Sequence, residues 1–349
     1  MKPLLSALAV LSLCTVPGAL ALESAKPAPE KASAPVVSRL FATYYVTPLL
    51  HLVSSEGKIA PFALPEGTVW GSGGEGGSND PVLSPDGKFV AYINKGNLII
   101  RPVDAVKGEQ VDGGYTDEEF LISGWSPDGK ALVYFLGPPQ GEDPAPSKIT
   151  EPKRLVYEVK EGKSRELKFE GQLTGWLPGG EMLLYRDTGE EVVLSALSLE
   201  PGAEAKALYR DKSAIGQVVL SPDGKSVACG ISPRNETTSN QLISIELASG
   251  KKTPLSKPGE WAEFQWPKWS PDGKHVSWEA RVDMKEGIPL TVVMVDGKPL
   301  TKPAQGLGHE WLTNNVVALV DEQALSVVDV TTGKELGRRP FKAAKQKKP

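Results

Sequence analysis

Four aspartates recur along this 349-residue chain in the same company: Asp86, Asp128, Asp223 and Asp272 each follow Ser-Pro and precede Gly-Lys. An acidic residue repeated in register could hold calcium, but turn chemistry already accounts for all four. Pro85, Pro127, Pro222 and Pro271 fix φ for the first corner of a type I turn, the aspartate bonds to nearby backbone, and Gly87, Gly129, Gly224 and Gly273 accept the positive φ that closes a bulged hairpin. Three histidines, His51, His275 and His309, fall in separate repeats without the short spacing of metal ligands, so neither a metal nor a cofactor is expected. No Gly-x-Ser-x-Gly elbow occurs, and sequence neighbours assemble no Ser/His/Asp set, so no catalytic residue is assigned. The glycine-rich stretch from Gly71 to Asp80 lacks a Gly-Lys-Ser/Thr ending and a following helix signal, and reads as a linker rather than a phosphate cradle.

The aromatic residues divide into two groups. Trp125, Trp176, Trp269, Trp278 and Trp311 stand at repeated positions and read as packing anchors between units. Trp70, Trp261 and Trp266 are the remaining three of the eight tryptophans, and are the candidate contacts for a ligand or partner. Trp70 opens the glycine-rich stretch and Trp261 follows Gly259 in a connection. Trp266 falls on an inner strand, where packing is the expected fate.

The elements that position these residues follow from the period. A bulky residue, the turn and an apolar run return six times at a spacing of about 45 residues, starting from Leu83, Trp125, Trp176, Leu220, Trp269 and Trp311. The apolar runs are 89–93, 131–135, 182–185, 226–231, 275–280 and 316–320, with apolar residues on both alternations, as in strands covered on two faces. Tyr92, Tyr134, Tyr185, Cys229, Trp278 and Val320 refill one slot of these runs. Each copy continues with a third and a fourth strand, as in 242–255, so each period is a four-stranded β-propeller blade. Ahead of the first turn, 41–46 and 49–62 read as the last three strands of another unit. The fold class is therefore all-β, a propeller with seven blades favoured and six blades plus an N-terminal hairpin as the alternative.

The Trp-Ser-Pro-Asp-Gly-Lys text followed by an apolar strand resembles the WD40-like repeat of TolB-type bacterial envelope propellers, from about Leu40 to Phe341. The resemblance implies an envelope protein that docks other envelope components. It departs from TolB itself in having only about 40 residues before the strands, where TolB carries an α/β domain.

The ends divide the chain further. Residues 1–21 combine Lys2, an apolar stretch and Ala19-Leu20-Ala21, which reads as a secretory signal peptide. Its apolar run of about 13 residues is shorter than the roughly 20 needed to span a bilayer, and no later segment is a transmembrane candidate. Cys14 follows Leu13, which does not suit a lipid-attachment signal. Residues 22–38 are an Ala/Pro/Lys-rich tether, 39–341 the propeller, and 342–349 a basic tail. Cys229, alone after signal removal, excludes an internal disulfide and is expected to be buried. A net charge of −4 gives no reason to expect nucleic acid. The expected function is a non-catalytic scaffold, periplasmic or secreted, that binds another envelope protein or a peptide. The competing reading is a propeller enzyme or small-ligand receptor with an axial site, which convergent charged side chains at the axis would favour.

Overall fold

The computed structural model describes residues 38–43, 49–68, 79–105, 107–113, 119–138, 149, 151–234, 241–260, 263–285 and 287–341. The expected signal peptide, nearly all of the tether, the basic tail, Trp70 and Trp261 lie outside the described residues.

The described elements are all strands. An N-terminal sheet contains β1 (Ser38–Thr43), β2 (Leu49–Ser54) and β3 (Ile59–Phe62). Blade 1 contains β4 (Val82–Leu83), β5 (Phe89–Asn94), β6 (Asn97–Pro102) and β7 (Glu109–Gly113). Blade 2 contains β8 (Glu119–Trp125), β9 (Ala131–Gly137), β10 (Lys153–Glu158) and β11 (Lys163–Leu167). Blade 3 contains β12 (Gln172–Trp176), β13 (Met182–Asp187), β14 (Val192–Leu197) and β15 (Lys206–Asp211). Blade 4 contains β16 (Ala214–Leu220), β17 (Ser226–Ser232), β18 (Gln241–Glu246) and β19 (Lys252–Pro254). Blade 5 contains β20 (Glu263–Trp269), β21 (Val276–Lys285), β22 (Ile288–Val295) and β23 (Lys298–Pro299). Blade 6 contains β24 (Gly308–Thr313), β25 (Val316–Val320), β26 (Ala324–Asp329) and β27 (Glu335–Pro340).

Every sheet is an antiparallel meander in sequence order. First strands of successive sheets approach one another, as β12 does β16, β16 does β20 and β20 does β24, while last strands meet as β7 does β11. First strands therefore border the axis and last strands the rim. The second strands bury consecutive residues, as in the fully buried Val316–Val320 run of β25, so each sheet needs cover on both faces.

Complete blades number six, not the seven favoured from the sequence. The N-terminal unit contributes three strands, and no fourth joins them among the described residues. Neither the Ala/Pro/Lys-rich stretch ahead of β1 nor the basic tail has the apolar alternation of an inner strand, which is the physical reason the count falls short. The alternative of six blades plus an N-terminal piece is closer, although that piece has three strands rather than a hairpin. Residues 44–46 of the expected 41–46 strand lie outside the described residues.

This small sheet sits between blade 6 and blade 1. On one side β3 meets β27, Arg339 Nη1 donates to the Ile59 carbonyl at 3.3 Å, and Val53 joins the core cluster of Leu312, Ala318 and Leu325. On the other side β1 approaches β4, and Arg101 donates to the Ala63 carbonyl at 3.2 Å with its guanidinium 5.1 Å from the centre of the Phe62 ring. The seam with blade 6 brings backbone against backbone: a Cβ on Gly337 would lie 2.0 Å from the Gly57 carbonyl oxygen.

The repeated turn is a hydrogen-bonded unit in which serine has a larger part than the sequence suggested. Ser84 Oγ donates to Asp86 Oδ1 at 2.7 Å and accepts from the Phe89 N–H at 2.9 Å, while Asp86 Oδ1 also accepts from the Lys88 N–H at 3.1 Å. The same three bonds recur around Ser126, Ser221 and Ser270, all buried. The closing glycines have φ between 68° and 72°. Hydrogen bonds from Ser126 and Lys130 hold the Asp128 carboxyl down at about 2, so the turn keeps its charge through the neutral range. Between blades, Trp125 Nε1 donates to the Val82 carbonyl at 3.3 Å and Trp269 Nε1 to the Val219 carbonyl at 3.1 Å.

Gly337→Ala should therefore lower stability by roughly 1–3 kcal/mol through overpacking at the seam. Gly179→Ala, where a Cβ meets nothing within 4 Å, is the control and should change little. Urea midpoints of the two variants check this.

Candidate functional site at the axial side of blade 5

Two inner strands carry matched β-bulges. In β16 the register passes from Gly216↔Gly230 to Val219↔Ala228, and in β20 from Gln265↔Glu279 to Lys268↔Ser277. Two residues thus oppose one on the partner strand. A bulge re-aims side chains: Val218 and Pro267 are buried, whereas Gln217 and Trp266 turn outward. Both outward residues have φ of 53°, an uncommon state for any residue with a Cβ and a strained one for tryptophan. The Trp266 N–H donates to Gln217 Oε1 of the neighbouring blade at 2.7 Å, tying the two bulges together. Trp266 is 58% exposed, which corrects the expectation that it packs.

Paired charges flank this tryptophan along β20. Glu263 pairs with Arg281 at 2.9 Å and accepts from Gln265 Nε2 at 2.5 Å. Lys268 reaches blade 6, with Nζ 2.6 Å from Glu310 Oε2 and 2.7 Å from the His309 carbonyl oxygen. Strands β21 and β22, ten and eight residues long, form a hairpin braced by Gln305 Nε2 donating to the Lys285 carbonyl at 3.1 Å. Towards its tip Val282, Met284 and Ile288 are exposed. Among the described residues the exposed large apolar side chains are these three, Trp266 and Val159, so four of the five belong to blade 5.

Beneath the surface lies a buried polar network. His309 Nε2 is 2.9 Å from Ser277 Oγ and its Nδ1 is 3.1 Å from Glu279 Oε1, while Trp311 Nε1 donates to Ser277 Oγ at 2.8 Å. Ser277 Oγ in turn donates to the Lys268 carbonyl at 3.3 Å. With the serine proton so used, His309 donates from Nε2 and accepts at Nδ1, and Glu279 donates as a neutral acid. Every group is then satisfied without a buried charge. Burial supports this arrangement: it pushes the Glu279 carboxyl up to about 7 and the His309 imidazole well below its ordinary value. The order Ser277, His309, Glu279 imitates a hydrolytic triad, but Ser277 is fully buried, so no substrate reaches it. Sequence neighbours did not reveal this set because two strands of different blades, β21 and β24, contribute to it; the available signal was a charged Glu279 inside an apolar run.

Other expected residues lie apart. Cys229 is fully buried and its thiol is pushed up to about 12 by burial, so it is inert. His275 contacts Asp296 at 2.6 Å, and His51 is buried near Phe341 at the ring seam. The described residues contain no group of three or more His, Cys, Asp or Glu placed to hold a metal ion.

The network sets a pH dependence. A carboxyl raised from 4.5 to about 7 contributes stability fully present below 4.5 and lost as pH rises through 7. A depressed His309 contributes stability present above 6.5 and lost as pH falls. Between pH 5 and pH 9 the Glu279 effect should remove on the order of 3 kcal/mol. Glu279→Gln, which still donates to His309, should abolish that loss. Urea unfolding of both proteins across this range checks it, and parallel profiles would contradict it.

No protein-family model and no curated protein matches the chain. Similar solved structures include TolB from Acinetobacter baumannii, with TM-score 0.50, 17% identity and coverage of 76% of this chain and 62% of that one. A puromycin-hydrolyzing peptidase from Mycobacterium tuberculosis gives TM-score 0.56, 14% identity and coverage of 87% and 53%. Dipeptidyl peptidase 4 from Porphyromonas gingivalis gives 0.50, 12% identity and coverage of 88% and 50%. The chain thus spans only about half to three-fifths of the length of these structures. At such identities the likeness is one of fold: the chain is a β-propeller similar to that of TolB.

Proposed function

We propose that the protein is an exported scaffold of the bacterial envelope, periplasmic or secreted, that binds another protein or a peptide through blade 5. The carrying observation is the concentration of exposed large apolar side chains, Trp266, Val282, Met284 and Ile288, on one blade of a ring whose other blades, among the described residues, expose only Val159. Clustered exposed apolar groups mark association surfaces, whereas scattered ones do not. No helix among the described residues is long and apolar enough to cross a membrane, and the net charge of −4 disfavours nucleic acid as the partner. Peptidase activity belongs to the neighbours that bear that name.

A second reading, a small-ligand receptor at the axis, draws support from the paired charges Glu263–Arg281 and Lys268–Glu310 beside Trp266.

A photo-crosslinking residue placed at Met284 should yield a discrete adduct in envelope extract, while the same residue at Val159 should not. Met284→Glu combined with Ile288→Glu should abolish an adduct formed from position 266. Equal labelling at 159 and 284 would contradict the assignment.

A further inference from the structure

Trp266 invites a more specific reading than a generic contact, one that concerns the axial side of blade 5 rather than the exposed hairpin tip at Met284 and Ile288. Its side chain stands in a largely exposed residue, yet its backbone is held by the bulge and by the bond from its N–H to Gln217 Oε1. An aromatic face fixed in this way loses little entropy when something stacks on it. What stacks is constrained by the surroundings.

An extended peptide adding to the free axial edge of β20 would need a regular row of backbone donors and acceptors. That row is broken here. Pro267 has no N–H, the Trp266 N–H is already bonded, and the bulge between Gln265 and Lys268 interrupts the ladder. Charge gives a second constraint, since Glu263 and Lys268 are each matched by a partner of opposite sign, Arg281 and Glu310, so the wall offers no net charge to an anion or a cation.

Amide groups remain. Gln217 uses its oxygen on Trp266 and keeps its NH2 to donate, and Gln265 uses its NH2 on Glu263 and keeps its oxygen to accept. A donor amide on Gln217, tied to the Trp266 backbone, and an acceptor amide on Gln265, the preceding residue of the strand, suit a ligand with an apolar flat face and hydroxyls around its edge. We infer that the axial side of blade 5 is a binding site for a neutral saccharide, whose pyranose ring stacks on Trp266 while Gln217 and Gln265 bond to its hydroxyls.

Isothermal titration of the protein with chitotetraose and with cellotetraose tests this, alongside a Pro-rich decapeptide. Saturable binding of at least one glycan is expected below about 5 mM, weakened at least tenfold by Trp266→Ala, held within about threefold by Trp266→Phe, and weakened by Gln217→Ala. Circular dichroism of each variant separates loss of binding from loss of fold. Three results would overturn the inference: neither glycan binds the wild-type protein, Trp266→Ala leaves glycan affinity unchanged, or only the peptide binds in a Trp266-dependent way. None of them bears on the crosslink from position 284, so failure here and failure of the partner reading are distinguishable.

Discussion

A sheet with apolar side chains on both faces cannot stand alone in water, and each blade of this protein is such a sheet. Val316–Val320 is buried without a break, and Leu132, Leu183 and Val227 are fully covered in their own second strands. A linear stack of these sheets would leave two oily faces at its ends; a ring leaves none. The three-stranded N-terminal sheet fills the gap between blades 6 and 1, and it fits because Gly57 and Gly337 let two backbones meet where no side chain could be accommodated. The axis itself depends on that closure, because first strands converge only when the circle is complete.

Within the ring, blade 5 follows the repeat at its buried positions and departs from it at exposed ones. Its Trp269 reaches back to the Val219 carbonyl as Trp125 does to Val82, and its Ser270–Asp272 turn matches those of blades 1, 2 and 4. The same strand then places an exposed Trp266 at the bulge where blade 4 has Gln217, and extends β21 and β22 into a long hairpin. The joint to blade 6 adds to an apolar cluster of Val293, Trp311, Val317 and Leu319 a polar one, the neutral Ser277, His309 and Glu279 set under the Lys268–Glu310 pair. Buried polar sets of this kind specify one arrangement of their neighbours, since any shift leaves a group unsatisfied. They fix blade 5 relative to blade 6.

Much of the fold was legible because turn chemistry and apolar runs are local. The second strands expected at 89–93, 131–135 and 182–185 are found at Phe89–Asn94, Ala131–Gly137 and Met182–Asp187. The number of blades was less legible, because the N-terminal unit lacks the turn text and has only its apolar alternation to announce it. Trp266 was placed on the correct strand and given the wrong environment: a two-residue bulge leaves no mark in the alternation of Glu263 to Trp269, and the residue that stabilises it, Gln217, lies a whole blade away. Glu279 and His309 were similarly separated in sequence and joined only by the packing of adjacent sheets.

Closure of the ring is most directly measured by amide hydrogen exchange resolved by strand. A closed ring unfolds as one unit, so β5, β9, β13, β17, β21 and β25 should share one opening free energy, and β2 beside the seam should approach it. An open array frays from its ends, and its nearest-neighbour energetics would give protection that falls steadily from the central blades towards β2 and β26. Uniform protection is the result expected here. A graded profile, lowest at the N-terminal sheet and blade 6, would contradict the closed ring and the axial site built on it.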